Sequence, residues 1–197
     1  MRARRLMLLL AAALGLGLPA RAHSAALLAG TRLSIANRVP DDEARNRIVC
    51  LGRDRSVAAP AAGSTGDPTC VGAGGGGGSI TFHSPTSGQA TTSPLPCRNW
   101  LPMKGGGGYR YLDRHLGDGV CRIVEVRRGR LVRALCEGRG PTVLSFDLTA
   151  GQGQAPVEVS LRLGSAPEVY CMRFGGVVVK DGSDARTFLA RGAPPPP

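Results

Sequence analysis

The chain has 197 residues, of which 29 are glycine and 15 are proline; together they make about 22% of it, just below the range of disordered low-complexity chains. Basic residues exceed acidic ones by 11, only 4% of residues are aromatic, and no apolar run beyond the N-terminus is long enough for a membrane-spanning helix. These figures exclude a multi-domain machine and a helical membrane channel, and they indicate one ordered domain rich in loops.

The first 22 residues have the pattern of a secretory signal peptide. Its three parts are a basic start, an apolar run and a small-residue cleavage motif: Arg2, Arg4 and Arg5; residues 6–18; and Ala20-Arg21-Ala22. We expect cleavage after Ala22, which makes His23 the first mature residue; cleavage after Ala25 is the alternative. Removing four arginines and no acidic residue lowers the net charge from +11 to about +7. The sequence therefore predicts export to the periplasm or beyond.

Most of the remaining chain consists of short β-branched segments separated by turn residues, which is typical of an all-β domain. In residues 157–163 apolar side chains alternate with polar ones, as in an antiparallel strand with one buried face. The predicted strands are residues 31–36, 47–51, 79–83, 120–126, 131–136, 142–148, 156–163, 169–174 and 187–190. We expect residues 23–192 to form one antiparallel β-sandwich of about eight to ten strands, with a single helical turn within 41–47 and a polyproline-like tail at 193–197.

Two glycine-rich segments, residues 56–78 and 84–108, interrupt this strand pattern. Glycine, proline, serine and threonine dominate both, so we predict two long flexible loops. A phosphate-binding loop is disfavoured, because no Gly-Lys-Ser/Thr follows either glycine run and no helix start is available behind it.

Six cysteines in a chain with an export signal indicate an oxidising compartment and three disulfides. One pair follows from geometry: residues 121–136 fold as a hairpin at residues 127–130, and a loop of either two or four residues places Cys121 directly opposite Cys136. A disulfide between Cys70 and Cys97 would tie down the glycine-rich stretch. Cys50 with Cys171 is then left by elimination. Zinc ligation is disfavoured, because no Cys-x2-Cys pair exists.

The candidates for catalysis and metal binding are few. Neither a serine-hydrolase elbow nor a zinc-protease motif is present, and the acidic residues are scattered over strands and turns. Asp181-Gly-Ser-Asp184 reads as a plain turn, because the further acidic ligands of a calcium loop are missing. If cleavage exposes His23, its amino group and imidazole could hold copper together with His83 or His115, as in copper monooxygenases that attack polysaccharides.

A basic hairpin tip is the strongest binding candidate in the sequence. Arg127, Arg128 and Arg130 could hold phosphate or carboxylate groups, and Tyr109 and Tyr111 add aromatic side chains nearby. The alternative is a solvated turn. Export argues against nucleic acid as the partner and leaves anionic polymers of the envelope or extracellular space.

The part of the chain from Trp100 onward resembles a class of secreted β-rich domains, without an assigned activity, that recurs in exported proteins of GC-rich Gram-negative bacteria. The matching segments, with one upstream, are residues 67–69, 108–113, 119–121, 129–131, 136–138, 161–165, 170–176, 180–182, 188–190 and 193–194. The resemblance implies an exported domain and carries no catalytic residues. Such domains typically continue past the final Ala-Pro into another cysteine, whereas this chain ends in prolines, which leaves the partner of Cys171 open, with Cys50 as a candidate.

The sequence thus favours an exported, disulfide-bonded β-sandwich with a structural or binding role, no catalysis and no cofactor. The alternative is a small secreted enzyme acting on envelope or extracellular polysaccharide, including the copper case.

Overall fold

The computed structural model of the protein describes residues 26–37, 39, 42–148, 153–165, 168–182, 184 and 186–192. The expected signal peptide at residues 1–22, its cleavage site, His23 and the tail at 193–197 lie outside the described residues. The described ranges contain twelve strands, three short 3-10 turns and no α-helix, so the all-β class is confirmed. No helix within these ranges is long and apolar enough to cross a membrane.

The elements follow one another closely along the chain. The strands are β1 (Ala26–Asn37), β2 (Asn46–Arg53), β3 (Gly78–His83), β4 (Ala90–Pro94), β5 (Trp100–Pro102), β6 (Gly108–Leu112), β7 (Cys121–Arg127), β8 (Leu131–Glu137), β9 (Val157–Leu163), β10 (Glu168–Phe174), β11 (Val177–Asp181) and β12 (Thr187–Arg191). The 3-10 turns are Glu43–Arg45, Cys97–Asn99 and Lys104–Gly106. The first of these lies in the segment where the sequence predicts a helical turn.

The strands form one continuous, curled sheet of mixed direction. Its order is β4-β3-β9-β10-β1-β2-β8-β7-β6-β5, with β12 also paired to β1 and β11 paired to β12. Every pairing is antiparallel except that of β1 with β10. Twelve strands exceed the number expected from the sequence, and a separation into the two layers of a sandwich stays a prediction.

The sheet bends within strand β1. Its first residues, from Ala26 to Ala29, pair with β10, and from Arg32 onward it lies between β2 and β12, with an irregularity between Gly30 and Arg32. A Cβ atom at Gly30 would come within 2.7 Å of the Arg173 carbonyl oxygen and 2.8 Å of the Phe174 ring. Only glycine fits this close crossing, so the bend depends on it.

The core lies between the inner faces of the curled sheet. Alternation buries Ile80, Phe82 and Leu161 from one end of the sheet and Ile48 and Val124 from the other, and all five belong to one hydrophobic cluster. The strict alternation in β9 buries Val157, Val159, Leu161 and Leu163 and leaves the residues between them facing outward, as expected.

The prediction of a long flexible loop at residues 84–108 is wrong for most of that segment. It holds β4, β5, the start of β6 and two of the 3-10 turns. These elements escaped the sequence patterns because β4 has no apolar alternation and β5 spans three residues. The Trp100 side chain anchors the region: it is buried, and its Nε1–H donates to the Leu95 carbonyl at 3.1 Å.

Two further strand assignments differ from the expectation. Residues 142–148 form no strand, although Leu144, Phe146 and Leu148 alternate into the core, because the Leu144 N–H donates to the Glu43 carbonyl and the Leu144 carbonyl accepts from the Asn46 side chain. A single bridge between Arg139 and Thr142 is formed instead. Strand β11, which the sequence patterns missed, is exposed along its whole length and therefore shows no alternation.

The glycine-rich segment from 54 to 77 contains turns organised around a buried carboxylate. Asp67 accepts hydrogen bonds from the Gly63 N–H at 2.7 Å and from the Thr69 N–H and hydroxyl at 2.8 and 2.7 Å. Burial raises the pKa of Asp67, and these hydrogen bonds lower it by more, so its pKa lies below the usual value. The start of the segment also contacts the β7–β8 hairpin, because the Gly129 N–H donates to the Val57 carbonyl at 2.7 Å.

Candidate anion-binding face

The cysteines form two disulfides. The structure joins Cys70 to Cys97 and Cys121 to Cys136, the two pairs that the sequence predicts. Cys50 and Cys171 are free thiols, so the pairing by elimination is wrong. The reason is the side-chain direction: Cys50 faces the core from β2, whereas Cys171 lies between the buried residues of β10 and faces outward. Burial raises the pKa of Cys50 to about 12, which keeps this thiol protonated and unreactive.

The register of the β7–β8 hairpin differs from the one expected for a loop of two or four residues. Its loop has three residues, Arg128 to Arg130, with Gly129 at φ 63°. Beyond the loop Glu125 lies opposite Arg133, and a bulge at Arg122 then restores the pairing of the two cysteines. The predicted disulfide partner is therefore found, whereas the other cross-strand neighbours are shifted by one residue.

The histidine and aspartate candidates lie in ordinary structural settings. His83 Nδ1 is 3.8 Å from Glu158 on the outer side of the sheet, and the His115 N–H donates to the Asp113 side chain. Asp184 accepts the N–H groups of Arg186 and of Thr187, the first residue of β12, as a plain turn requires. Within the part of the chain that the structure describes, no three His, Cys, Asp or Glu side chains lie close enough together to hold a metal ion.

The hairpin tip also differs from its predicted role. Tyr109 and Tyr111 are buried in the core, so the expectation that their rings add to an exposed binding surface at the tip is wrong. Strand alternation is the cause, since both tyrosines lie on the inner face of β6. Arg128 donates to the Ala59 carbonyl at 3.1 Å, Arg127 contacts Glu125, and Arg130 is exposed. The tip alone is therefore not a site.

A larger cationic surface lies on the outer side of the sheet formed by β12, β1, β2, β8, β7 and β6. We call it the arginine face. Its arginines are Arg32, Arg47, Arg53, Arg110, Arg122, Arg127, Arg133 and Arg191, and its acidic residues are Glu125 and Glu137. The outer side of β9 and β10, in contrast, carries Arg162 and Arg173 beside Glu158, with serine, valine and cysteine between them. The outer side of these six strands thus carries more net positive charge than the outer side of β9 and β10.

Strand register aligns four of these arginines in a single row. Across the strands, Arg110 is opposite Glu125, Glu125 opposite Arg133, Arg133 opposite Leu51, Leu51 opposite Arg32, and Arg32 opposite Arg191. With neighbouring strands about 4.8 Å apart, the row from β6 to β12 is about 24 Å long. The row therefore offers a linear set of guanidinium groups.

The middle of the row is held by one buried carboxylate. Glu125 is 1% exposed and lies 2.8 Å from Arg133 Nε, 3.1 Å from an Arg127 terminal nitrogen and 3.4 Å from Arg110 Nε. One carboxylate therefore forms ion pairs with three arginines, each of which is one third to one half exposed. The cluster orders the guanidinium groups and keeps a net positive charge.

The other end of the row has no carboxylate. Arg32 and Arg191 are directly opposite each other on β1 and β12, and neither forms an ion pair with any acidic residue that the structure describes. Like charges in this cross-strand position repel each other. A bound anion would remove that repulsion, so this pair is the part of the face best suited to bind an anionic group of a ligand.

Sequence patterns alone missed this face. Arg32, Arg47 and Arg133 all lie within predicted strands, and their alternation with apolar residues was a usable signal for an outward direction. The row itself depends on the register between six strands, which no local pattern contains.

Comparisons of the chain with protein-family models, with curated proteins and with solved structures find no match. The arginine face is therefore the main structural indication of a function.

Proposed function

We propose that the protein is an exported, non-enzymatic binding domain whose arginine face holds anionic polymers of the cell envelope or extracellular space. The row of Arg110, Arg133, Arg32 and Arg191 carries this proposal. The signal-peptide pattern and the resemblance to exported β-rich domains support export. The two disulfides are compatible with an oxidising compartment.

The preferred ligand is a chain with repeated carboxylate or phosphate groups, such as an acidic polysaccharide. A guanidinium group binds these planar or tetrahedral anions through two parallel hydrogen bonds. A row of about 24 Å would contact several successive charges of one polymer, so modest single contacts add up. Nucleic acid is less suited, because stacking of bases requires exposed aromatic rings, and Trp100, Tyr109 and Tyr111 are all buried.

The test is binding of a polyuronate by isothermal titration calorimetry at low and moderate salt. We expect affinity to fall steeply as salt rises, because the contacts are solvent-exposed charges. The double variant Arg32→Gln/Arg191→Gln should weaken binding about tenfold, since each lost exposed contact contributes up to about 1 kcal/mol.

The matched control removes the same charge from the other outer surface. Arg162→Gln/Arg173→Gln on β9 and β10 should change the affinity less than twofold. Equal losses in the two double variants would show that only net charge matters and would refute the assignment to the arginine face. Absence of polyuronate binding by the wild-type protein at low salt would refute the function.

A further inference from the structure

A groove in the arginine face has a different chemistry from the row beside it. Its volume is about 320 Å³, and it follows the outer side of β2 and β8. Its outward-facing aliphatic lining consists of Val49, Leu51, Ile123, Leu131 and Leu135. Arg47, Arg53 and Arg133 also line it. The groove is thus apolar along its floor and cationic at its edges.

The apolar floor results from strand register. Ile123 is opposite Leu135, and Leu135 is opposite Val49, which makes an aliphatic row directly beside the arginine row. Leu51 extends this surface along β2. The Arg133 side chain turns towards Glu125, with its Nε 2.8 Å from the carboxylate. All of these aliphatic side chains remain only half-buried.

The groove offers nothing to a peptide backbone. Strand β2 is paired on both sides, with β1 and β8, and β8 is paired on both sides, with β2 and β7. Their N–H and C=O groups are used in these ladders, so an added strand would find no hydrogen-bond partners. The lining also has no aromatic side chain on which a sugar ring could stack. The lining suits an alkyl chain, which needs no hydrogen bonds.

The charges at the two ends of the groove differ. Arg53 forms no ion pair with any described acidic residue, and Arg133 is its diagonal neighbour across the β2–β8 pair. At the other end Arg47 lies opposite Glu137 in the strand register, and the Glu137 carboxylate, 3.4 Å from Arg122, brings a negative charge to that end. The Arg53 end is therefore the more cationic one, and six residues, or about 20 Å of strand, separate the two ends.

We propose that this groove binds an anionic amphiphile, with one alkyl chain over Leu51, Val49 and Leu135 and its carboxylate or phosphate head at Arg53. This proposal rests on the proposed function and narrows it, because it makes the preferred polymer one that carries an acyl chain, as a lipid-linked acidic glycan does. The polymer segment contacts the arginines of the row, and the alkyl chain crosses the row at Leu51 and continues over the adjacent aliphatic row of Val49 and Leu135.

The experiment measures binding of alkyl carboxylates of 8, 10 and 12 carbons to the full chain, below their micelle concentrations, by calorimetry and by methyl NMR. Each added methylene should tighten binding about two- to fourfold, because a half-open apolar groove removes part of each CH2 from water. A 12-carbon alkyl glucoside, with the same tail and no charge, should bind at least about tenfold more weakly than the carboxylate. The methyl signals of Val49, Leu51 and Leu135 should shift on binding.

Three variants locate the two parts of the amphiphile. Leu51→Gln should weaken binding of the 12-carbon carboxylate at least about fivefold while leaving polyuronate binding unchanged. Arg53→Gln should remove the preference for the carboxylate over the glucoside, and Arg47→Gln should not. Val179→Gln, which replaces an exposed aliphatic residue on β11 of the same sheet, is the matched control and should change neither affinity.

The outcomes separate this inference from the proposed function. Polyuronate binding without any dependence of alkyl binding on chain length would overturn the groove and leave the function intact. If the wild-type protein binds no polyuronate but binds the alkyl carboxylates in a Leu51-dependent way, the proposed function is refuted and the assignment of the groove is retained. A larger effect of Arg47→Gln than of Arg53→Gln would overturn the placement of the head group.

Discussion

Replacing Glu125 and measuring the free energy of unfolding is the sharpest test of how the arginine face is held together. It is 1% exposed and contacts three arginines at 2.8 to 3.4 Å. Replacing it by glutamine keeps the size and one carbonyl acceptor but removes the only negative charge within the cluster. The three guanidinium groups then repel one another across β6, β7 and β8.

The magnitude follows from the exposure of the partners. The Arg110, Arg127 and Arg133 side chains are 43%, 36% and 46% exposed, so solvent screens each pair. Each such pair contributes about 0.5 to 1 kcal/mol, and the loss of all three lowers the free energy of unfolding by about 2 kcal/mol. For a domain of this size that loss lowers Tm by about 4 to 8 °C. Urea titration followed by circular dichroism measures the change.

The same variant should bind polyuronate more tightly than the wild type, because it raises the net charge of the row by one. Stability and affinity thus change in opposite directions. The matched control is Glu158→Gln on β9, whose carboxylate is 47% exposed and lies 3.7 Å from Arg173 and 3.8 Å from His83. We expect it to cost less than about 0.5 kcal/mol. An unfolding free energy of the Glu125 variant within 0.5 kcal/mol of the wild type would refute the reasoning.

Three further predictions concern the parts that support the face. Hydrogen bonds hold the pKa of Asp67 below its usual value, so its contribution to stability is present above about pH 4 and is lost as the pH falls through the lowered pKa. Asp67→Asn should therefore flatten the acid limb of a curve of unfolding free energy against pH, and an unchanged limb would contradict this. Replacing Cys70 and Cys97 by alanine opens a loop of 27 residues and should cost about 3.5 kcal/mol of unfolding free energy, with a loss under 1 kcal/mol as the contrary result. Under denaturing, non-reducing conditions two thiols should react with iodoacetamide, at Cys50 and Cys171, whereas Cys50 stays unlabelled in the folded protein; a peptide linking Cys50 to Cys171 would contradict the structure.

Alternation of side chains was enough to predict the all-β class and the central strands. It succeeded in β9, where Val157, Val159, Leu161 and Leu163 all face the core. It failed in residues 142–148, where the same alternation buries side chains without a neighbouring strand to pair with. It also failed in β4, whose two threonines and one serine show no apolar alternation; this strand pairs with β3 by backbone hydrogen bonds and by a contact between the Thr81 and Thr92 hydroxyls.

The candidate site lay beyond local patterns for a different reason. A disulfide could be predicted within one hairpin, because Cys121 and Cys136 are close along the chain. The pairing of Glu125 with Arg133 required knowledge of the bulge at Arg122, which shifts the register by one residue. The pairing of Arg32 with Arg191 joins residues from the two ends of the described chain, which only the folded sheet brings together.

The most direct test of the central claim is the affinity of the protein for a polyuronate, measured by calorimetry over a range of salt concentrations for the wild type and for Arg32→Gln/Arg191→Gln. The arginine face predicts binding that weakens steeply with salt, an affinity about tenfold lower in the double variant, and a shallower salt dependence in that variant. Binding that is absent at low salt, or equal for the two proteins, would contradict the claim.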